Sequence, residues 1–221
     1  MLEKMSDFFE NRIDGYDEHM KTNIASAGEF YPFTARALPC FDGCRILDLG
    51  CGTGLELEEY YPICPSAKVT GIDLSHLMLD RLKTKFADKD LTLICGSYFD
   101  ADFGEAVFNA AVSVESLHHF TAEQKLPLYE KLHASLTDGG CFVLTDYFAL
   151  SDDEEDMHRR ELAMLKEEQG IADNELYHYD TPLTVEHETE VLLKAGFSSV
   201  EVLGSWGATY TLKSWKNAKE C

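Results

Sequence analysis

The sequence contains few positive charges. Its 221 residues include 19 Lys and Arg against 40 Asp and Glu, a formal net charge of −21. Proteins that wrap nucleic acid or lie on anionic lipid need a cationic face, so neither is expected as a partner. No apolar run approaches the length of a membrane span. The acidic start MLEKMSDFFENRIDGYDEHM lacks the apolar core of a signal peptide.

Paired cysteines are also lacking. Seven cysteines are scattered along the chain without a C-x-x-C spacing. This pattern is typical of free thiols in a reducing compartment, so we expect a cytoplasmic protein. Hydrophobic residues make up 45% of the chain, enough for a domain with a full core. The sequence does not distinguish a monomer from a homodimer.

Strand-like and helix-like segments alternate between residues 40 and 150. This alternation predicts parallel βαβ units in a Rossmann-like, doubly wound α/β fold. A charged helix after the fifth strand and a C-terminal antiparallel hairpin would complete a seven-stranded, mostly parallel sheet. We predict one domain over residues 1–221, made of a helical cap (1–35), a core (40–150), a helical insertion (151–180), and a last helix with the hairpin (181–221).

A glycine-rich loop follows the first predicted strand in ILDLGCGTGLELEEYYP, residues Ile46–Pro62. Its D-x-G-x-G-x-G pattern leaves bare backbone before a helix, where a polar ligand can lie against free N–H groups. A dinucleotide fingerprint would need glycine where Leu55 stands, and no P-loop lysine follows. Asp73, at the end of the next strand, is spaced to hold a ribose diol. These residues predict a nucleoside ligand that has no pyrophosphate.

The segments ILDLGCGTG, GIDLS and VSVESLHHF resemble the class I S-adenosylmethionine (SAM) methyltransferases, above all their small-molecule branch. The resemblance covers roughly residues 40–150 and the hairpin. It implies methyl transfer from SAM to a small-molecule acceptor, with S-adenosylhomocysteine as the product. A SAM-binding sensor or scaffold without turnover stays open. A nucleotide-dependent oxidoreductase is less favoured, because its third glycine is missing.

The same resemblance implies roles for the strand-end residues. The glycine loop would line the methionine part of SAM, Asp73 would hold the ribose and Leu74 would pack on adenine. Ser97 stands where the family has an acidic residue for the adenine amino group, so Tyr98 stacking or Asp100 is expected to substitute. The expected cofactor-binding residues are Asp48, Gly50, Cys51, Gly52, Gly54, Asp73, Leu74, Ser97, Tyr98, Val114 and Glu115.

His118 and Asp146 are the candidate catalytic residues. Histidine titrates near neutral pH, although His118 could equally pack at a helix entry. Asp146 ends the fifth strand at the same edge of the sheet. No metal site is predicted, because the rings of His118 and His119 are expected to project apart and no cysteine pair supports them. Methyl transfer needs mainly in-line positioning of the acceptor, and a base only for some acceptors.

The segments 1–35 and 151–180 lie outside the alternating pattern, and both predict helices. Because strand ends account for the cofactor, these two segments are expected to close over the acceptor. Aromatic residues of the first segment would supply apolar surface to this lid. The alternative is permanent core packing of the same residues, which are Phe8, Phe9, Tyr16, Phe30 and Tyr31.

Overall fold

The structure is a computed structural model that describes residues 1–172 and 175–217. Residues 173–174 of the predicted insertion and 218–221 of the predicted C-terminal segment lie outside the described residues. The strands are β1 Arg45–Leu49, β2 Lys68–Asp73, β3 Asp90–Cys95, β4 Phe108–Val114, β5 Leu136–Tyr147, β6 Ser199–Trp206 and β7 Thr209–Trp215. The helices are α1 Met5–Glu10, α2 Tyr16–Asn23, α3 Ala27–Ala37, α4 Leu55–Tyr60, α5 His76–Lys85, α6 Ala122–Ser135, α7 Asp152–Gln169 and α8 Val185–Lys194.

The seven strands form one sheet in the order β3-β2-β1-β4-β5-β7-β6. β1 to β5 pair in parallel, whereas β7 is antiparallel to both β5 and β6. This confirms the predicted Rossmann-like sheet and its hairpin. β5 begins at Leu136, which pairs with Phe108 ahead of a register shift and is fully buried.

Alternate residues of the central strands face two different cores. Ile46 and Val112 belong to a cluster that includes residues of α3, α4 and α5. Leu47 and Ala111 belong to a second cluster that includes residues of α6 and α8. Burial of both faces explains the continuous apolar runs of these strands and leaves their carboxyl ends as the accessible edge. Within the described ranges, no helix is both long and apolar enough to cross a membrane.

A buried ion pair joins α6 to α8. Lys125 Nζ donates to Glu188 Oε2 at 2.5 Å, and the two side chains are 2% and 0% exposed. The Tyr129 hydroxyl donates to the other Glu188 oxygen. The three side chains satisfy one another, so removing one partner leaves a buried charge without compensation.

We expect Glu188→Ala to lower the free energy of unfolding by about 3–5 kcal/mol, since the Lys125 ammonium then stays buried and unpaired. Urea denaturation followed by circular dichroism measures the change. Glu190→Ala on the same helix is the matched control, because the Glu190 side chain is 62% exposed. A surface change of this kind shifts stability by no more than about 0.5 kcal/mol. Equal effects of the two substitutions would contradict the importance of the buried pair.

Candidate active site

The carboxyl ends of β1, β2 and β4 surround a small pocket of about 40 Å³. Backbone of the glycine loop forms one wall, and side chains of the N-terminal helices form another. The lining residues are Met5, Phe9, Tyr16, Gly50, Gly52, Asp73, Leu74, Met78, Tyr98, Glu115 and Ser116. The pocket is small beside ordinary ligand sites of roughly 300–1,000 Å³, so a nucleoside needs the N-terminal side chains to move outward.

The glycine loop requires glycine at two positions for different reasons. At Gly50, a Cβ atom would lie 2.1 Å from Ser116 Oγ, a distance that no side chain tolerates. At Gly52, φ is +48° and a Cβ would lie 3.8 Å from the Tyr16 hydroxyl. Gly52 therefore has space for a ligand but a backbone conformation that disfavours other residues.

Asp73 fixes the loop to the end of β2. Its carboxylate accepts the Gly52 N–H at 2.8 Å on one oxygen and the Ser75 N–H at 2.8 Å on the other. Each carboxylate oxygen has further lone pairs for a ligand hydroxyl. Burial raises the pKa of Asp73, and the backbone donors oppose that shift. Asp73 is thus held in one orientation at the pocket wall.

Asp48 and Glu56 lie beneath the loop rather than on the pocket surface. They are 1% and 5% exposed. Burial, and then the charge of Glu56, raises the pKa of Asp48 well above its usual range. Burial raises the pKa of Glu56 to about 6. The hydrogen bond between the two carboxyl groups also raises the pKa of Asp48 and opposes the rise at Glu56, so protonated Asp48 donates to Glu56 beneath the loop.

The structure brings Gly50, Gly52, Asp73, Leu74, Tyr98 and Glu115 of the predicted cofactor set around one pocket. The other members lie behind it or beside it. Cys51 and Val114 are buried in the core, and Gly54 packs closely against Phe86 and Leu82. The Ser97 hydroxyl accepts the Phe99 N–H at 3.2 Å within its own turn.

Three lining residues, Met5, Met78 and Ser116, were not anticipated from the sequence. Met5 reaches the pocket from a different part of the chain, which no local pattern indicates. Met78 belongs to an ordinary amphipathic helix. The Oγ atom of Ser116 lies 3.3 Å from the Tyr98 hydroxyl. Its position just after the end of β4 is the one sequence feature that could have indicated Ser116.

A much larger cavity, of about 820 Å³, adjoins the small pocket. Phe9, Tyr16 and Glu115 line both spaces and therefore form their junction. The cavity walls combine aromatic and ionisable side chains. They include Phe8, Arg12, His19, Met20, Ile24, His118, His119, Tyr147, His178, Asp180 and Thr209.

Glu115 has an unusual conformation at this junction. Its φ is +50°, a left-handed conformation that non-glycine residues rarely adopt and that Ser26 and Ala106 share among the described residues. Its carboxylate accepts the Thr209 hydroxyl at 3.3 Å. Burial, followed by the charge of Asp146, raises the pKa of Glu115 to about 7. The junction therefore holds a carboxyl group that is about half ionised at neutral pH.

Asp146 and His118, the two predicted catalytic residues, are in direct contact. His118 Nδ1 lies 2.5 Å from Asp146 Oδ1, while Asp146 Oδ2 accepts the backbone N–H groups of Leu117 and His118 at 2.8 and 3.0 Å. Burial alone would lower the pKa of His118, but the Asp146 charge and hydrogen bond raise it to about 9. His118 lines the cavity and Asp146 lies behind it.

The rings of His118 and His119 do not project apart, so that expectation is wrong. Their centroids are 4.0 Å apart. Asp180 Oδ1 lies 3.0 Å from His119 Nδ1 and 3.5 Å from His118 Nε2. The short 3-10 turn Leu117–His119 directs both side chains to the same wall of the cavity.

Two segments, residues 2–23 and 175–180, cover the cavity, and we call them the roof. Met5 N donates to the Leu176 carbonyl at 3.1 Å, and His178 N donates to the Glu3 carbonyl at 3.0 Å. The Phe8 and His178 rings stack at 3.4 Å. The two segments are therefore joined to each other by backbone bonds.

The later part of the predicted cap belongs to the core instead. Phe30 and Tyr31 in α3 are 0% and 6% exposed and pack in the cluster with α4 and β1. For these two aromatic residues the alternative of core packing is correct. Phe8, Phe9 and Tyr16 line the cavity as expected of an acceptor wall.

The fold and the sequence match known methyltransferases. Residues 46–140 match the family model described as a methyltransferase domain. Carboxy-S-adenosyl-L-methionine synthase of Nitratiruptor sp. is 27% identical over 187 residues, covering 79% of this chain and 77% of the relative.

Among solved structures, a Nostoc punctiforme protein described as a candidate O-methyltransferase superposes with a TM-score of 0.72. It is 18% identical, and the match covers 97% of this chain and 62% of that one. Human N-acetylserotonin methyltransferase, solved in complex with SAM, superposes with a TM-score of 0.63 at 18% identity. That match covers 87% of this chain and 53% of the human protein. At these identities the structural similarities concern the fold.

The sheet order is that of an α/β protein with the methyltransferase fold, and the glycine loop and Asp73 lie together at the edge where such sheets bind ligands. The match of residues 46–140 to the methyltransferase-domain model adds support for a class I SAM-dependent methyltransferase. The predicted family and its cofactor, SAM, are thereby confirmed.

We expect the affinity for SAM, relative to S-adenosylhomocysteine, to rise as pH increases through about 7, the pKa of Glu115. Below that pH Glu115 is neutral, and above it the carboxylate attracts the sulfonium, which only SAM has. If bound SAM lowers the pKa of Glu115 by one unit, the affinity for SAM relative to S-adenosylhomocysteine rises about tenfold between low and high pH. Calorimetric Kd values from pH 5.5 to 8.5 measure the effect.

Glu115→Gln is the isosteric control and should give a ratio that does not depend on pH. The comparison with S-adenosylhomocysteine removes contributions from the α-amino group, which both ligands share. Identical pH profiles for the two ligands on the wild-type protein would show that Glu115 does not face the sulfur.

Proposed function

We propose that the protein transfers the methyl group of SAM to a small-molecule acceptor bound in the large cavity. The supporting observation is the junction, where Phe9, Tyr16 and Glu115 line both the small pocket and the cavity. A methyl donor in the first space and an acceptor in the second would meet there. The volume of about 820 Å³ lies within the range of small-ligand sites.

In this proposal SAM lies along the glycine loop. Asp73 holds the ribose diol while keeping its bonds to Gly52 and Ser75. Leu74 and Tyr98 contact the adenine side of the pocket. The buried acids Asp48 and Glu56 lie beneath the loop, so their negative charge would act on the cationic methionine end through the loop rather than by direct contact.

The transfer itself breaks the bond between the sulfur and the methyl carbon. The acceptor atom supplies the electron pair of the new bond, and the sulfur keeps the electron pair of the old one as S-adenosylhomocysteine forms. Sulfonium methyl groups are intrinsically reactive, so alignment and exclusion of water contribute most of the acceleration. The aromatic roof provides both.

His118 acts in this proposal through its Nε2 atom, which faces the cavity side. With a pKa of about 9 it is protonated at neutral pH, so it donates a hydrogen bond to an acceptor oxygen or pairs with an anionic acceptor. Asp146 is a positioning residue that holds the His118 ring. Glu115, with a pKa of about 7, is the group better placed to take up a proton from an acceptor.

Synthesis of carboxy-SAM is the second candidate, because relatives such as the Nitratiruptor protein are named for it. That product bears a carboxylate next to the sulfonium and needs a cation beside it. The described residues that line the small pocket include two acids, Asp73 and Glu115, but no Lys, Arg or His. Of the cations that line the large cavity, His118 is already paired with Asp146 and Arg12 with Glu3. The local charge therefore favours a methyl group.

The test uses SAM labelled with ¹³C in its methyl group, incubated with the protein and a deproteinised extract of small metabolites. Methyl transfer predicts S-adenosylhomocysteine together with the label on a new acceptor, both detected by mass spectrometry. Label retained in an adenosyl product that has gained a carboxyl group would identify carboxy-SAM synthesis instead. Binding of SAM without any labelled product would favour the sensor alternative.

Gly52→Val provides the inactive control, because its branched side chain would occupy the cofactor side of the loop. Gly207→Val is matched to it: Gly207 also has a positive φ, +64°, but lies in the β6–β7 turn with no atom within 4 Å of an added Cβ. Activity lost in both variants would point to backbone strain rather than to the loop.

We also expect the roof to tighten when ligand binds, since the small pocket must enlarge to admit SAM and then close. Amides in residues 2–23 and 175–180 should gain hydrogen-exchange protection on addition of S-adenosylhomocysteine. The internal control is α3, which packs in the core and should change little. Equal and high protection of the roof with and without ligand would mean a fixed wall.

A further inference from the structure

We propose that His118, His119 and Asp180 form a binding site for one divalent transition-metal ion in the wall of the large cavity. One ring nitrogen from each histidine and one carboxylate oxygen of Asp180 lie within 4.8 Å of one another. No metal was expected from the sequence, because the two rings were expected to diverge. Their convergence on Asp180 removes that reason.

The separations fit a shared ion. Ligand atoms about 2.1 Å from a metal are roughly 3.0–3.4 Å apart along the edges of a tetrahedron or octahedron. The Asp180 oxygen lies 3.0 Å from His119 Nδ1 and 3.5 Å from His118 Nε2. Small side-chain adjustments therefore bring all three atoms to bonding distance.

His118 is already oriented as metal-binding histidines are. Its other nitrogen, Nδ1, contacts Asp146 at 2.5 Å, and Asp146 is held by the backbone N–H groups of Leu117, His118 and Tyr147. A carboxylate behind a ligating imidazole fixes the ring and increases its basicity. The ion would displace the proton that Nε2 carries in the metal-free protein and would bind that atom on the cavity side.

His119 would have to give up its contact with the Tyr179 carbonyl in order to bind the ion. Its Nδ1 also lies 3.3 Å from the Tyr179 carbonyl oxygen, which accepts a hydrogen bond only when that nitrogen is protonated. An ion would displace the proton and with it this contact. The competing arrangement is a metal-free ion-pair cluster, in which Asp180 accepts from both rings.

Two imidazoles and one carboxylate favour zinc, iron(II), cobalt(II) or manganese(II) over magnesium or calcium, which prefer oxygen ligands. Three protein ligands leave at least one coordination position open towards the cavity. The role of the ion rests on the proposed function: an acceptor hydroxyl bound there would lose its proton more readily, next to the junction with the methyl donor.

Cobalt(II) tests the site without any assay of activity. The chain is stripped with a chelator, titrated with cobalt and followed by visible absorption. We expect d–d bands that saturate at one ion per chain. Thiolate charge-transfer bands in the near ultraviolet would instead reveal binding at the exposed Cys40 or Cys95. His119→Ala and Asp180→Asn should each weaken binding by more than about tenfold.

His187→Ala is the matched control, since His187 also pairs with a carboxylate, Glu155 at 2.9 Å, but lies outside the proposed metal site. It should leave the titration unchanged. Circular dichroism and binding of S-adenosylhomocysteine verify the fold of each variant. If the His119→Ala variant does not fold, the Asp180→Asn variant still tests the site. The Asp180 side chain is 44% exposed, and asparagine has the same shape as aspartate, so this substitution should not disturb the fold.

The absence of saturable binding, or binding that neither His119→Ala nor Asp180→Asn weakens, would overturn the site and leave the ion-pair cluster as the explanation. Because the readout is spectral, this result does not depend on the methyl-transfer assay. A chain that binds cobalt yet transfers no methyl group would keep the metal site and refute the proposed reaction.

Discussion

The carboxylate of Asp146 organises the active-site edge of the sheet. It accepts three backbone N–H groups, from Leu117, His118 and Tyr147, and contacts the His118 ring. Asp146 ends β5, whereas Leu117 and His118 follow β4, so one buried charge fixes two neighbouring strand ends relative to each other. The His118 carbonyl in turn accepts the Thr181 N–H at 2.7 Å, directly after the roof. The cavity wall and the attachment of the roof therefore depend on the same carboxylate.

Charge is the second constraint on this edge. Burial, followed by the charges of Asp73, Glu56 and Glu115, raises the pKa of the Tyr16 hydroxyl, and the charges of Glu56 and Asp73 also raise the pKa of Asp48. Buried carboxyl groups without cations are costly, and protonation of Asp48 relieves part of that cost. A ligand that brings a positive sulfonium and an ammonium group relieves more of it. In the proposed complex, the acidic lining would favour SAM over its neutral-sulfur product, a difference that would also help product release.

The sequence predicts the parts of this site that follow from local pattern. The glycine loop and Asp73 stand directly after apolar strands, and strand ends of a parallel sheet meet at one edge. The roof could not be predicted in the same way, because its contacts, such as Met5 with Leu176, join distant parts of the chain. The convergence of His118 and His119 was missed because it depends on the 3-10 turn that carries them, whose backbone angles no periodicity reveals.

The small pocket and the large cavity are built largely from different parts of the chain. In the proposed reaction, cofactor binding and acceptor choice therefore depend largely on different residues. The loop and Asp73 are anchored to the sheet by backbone bonds, so they are positioned before any ligand arrives. The walls of the large cavity come mainly from the roof and from the turn after β4. Substitutions there change the shape and charge of the cavity without disturbing the strand ends. One sheet can therefore serve many acceptors, and in the proposed reaction the choice would fall to imidazole, carboxylate and aromatic side chains around the junction.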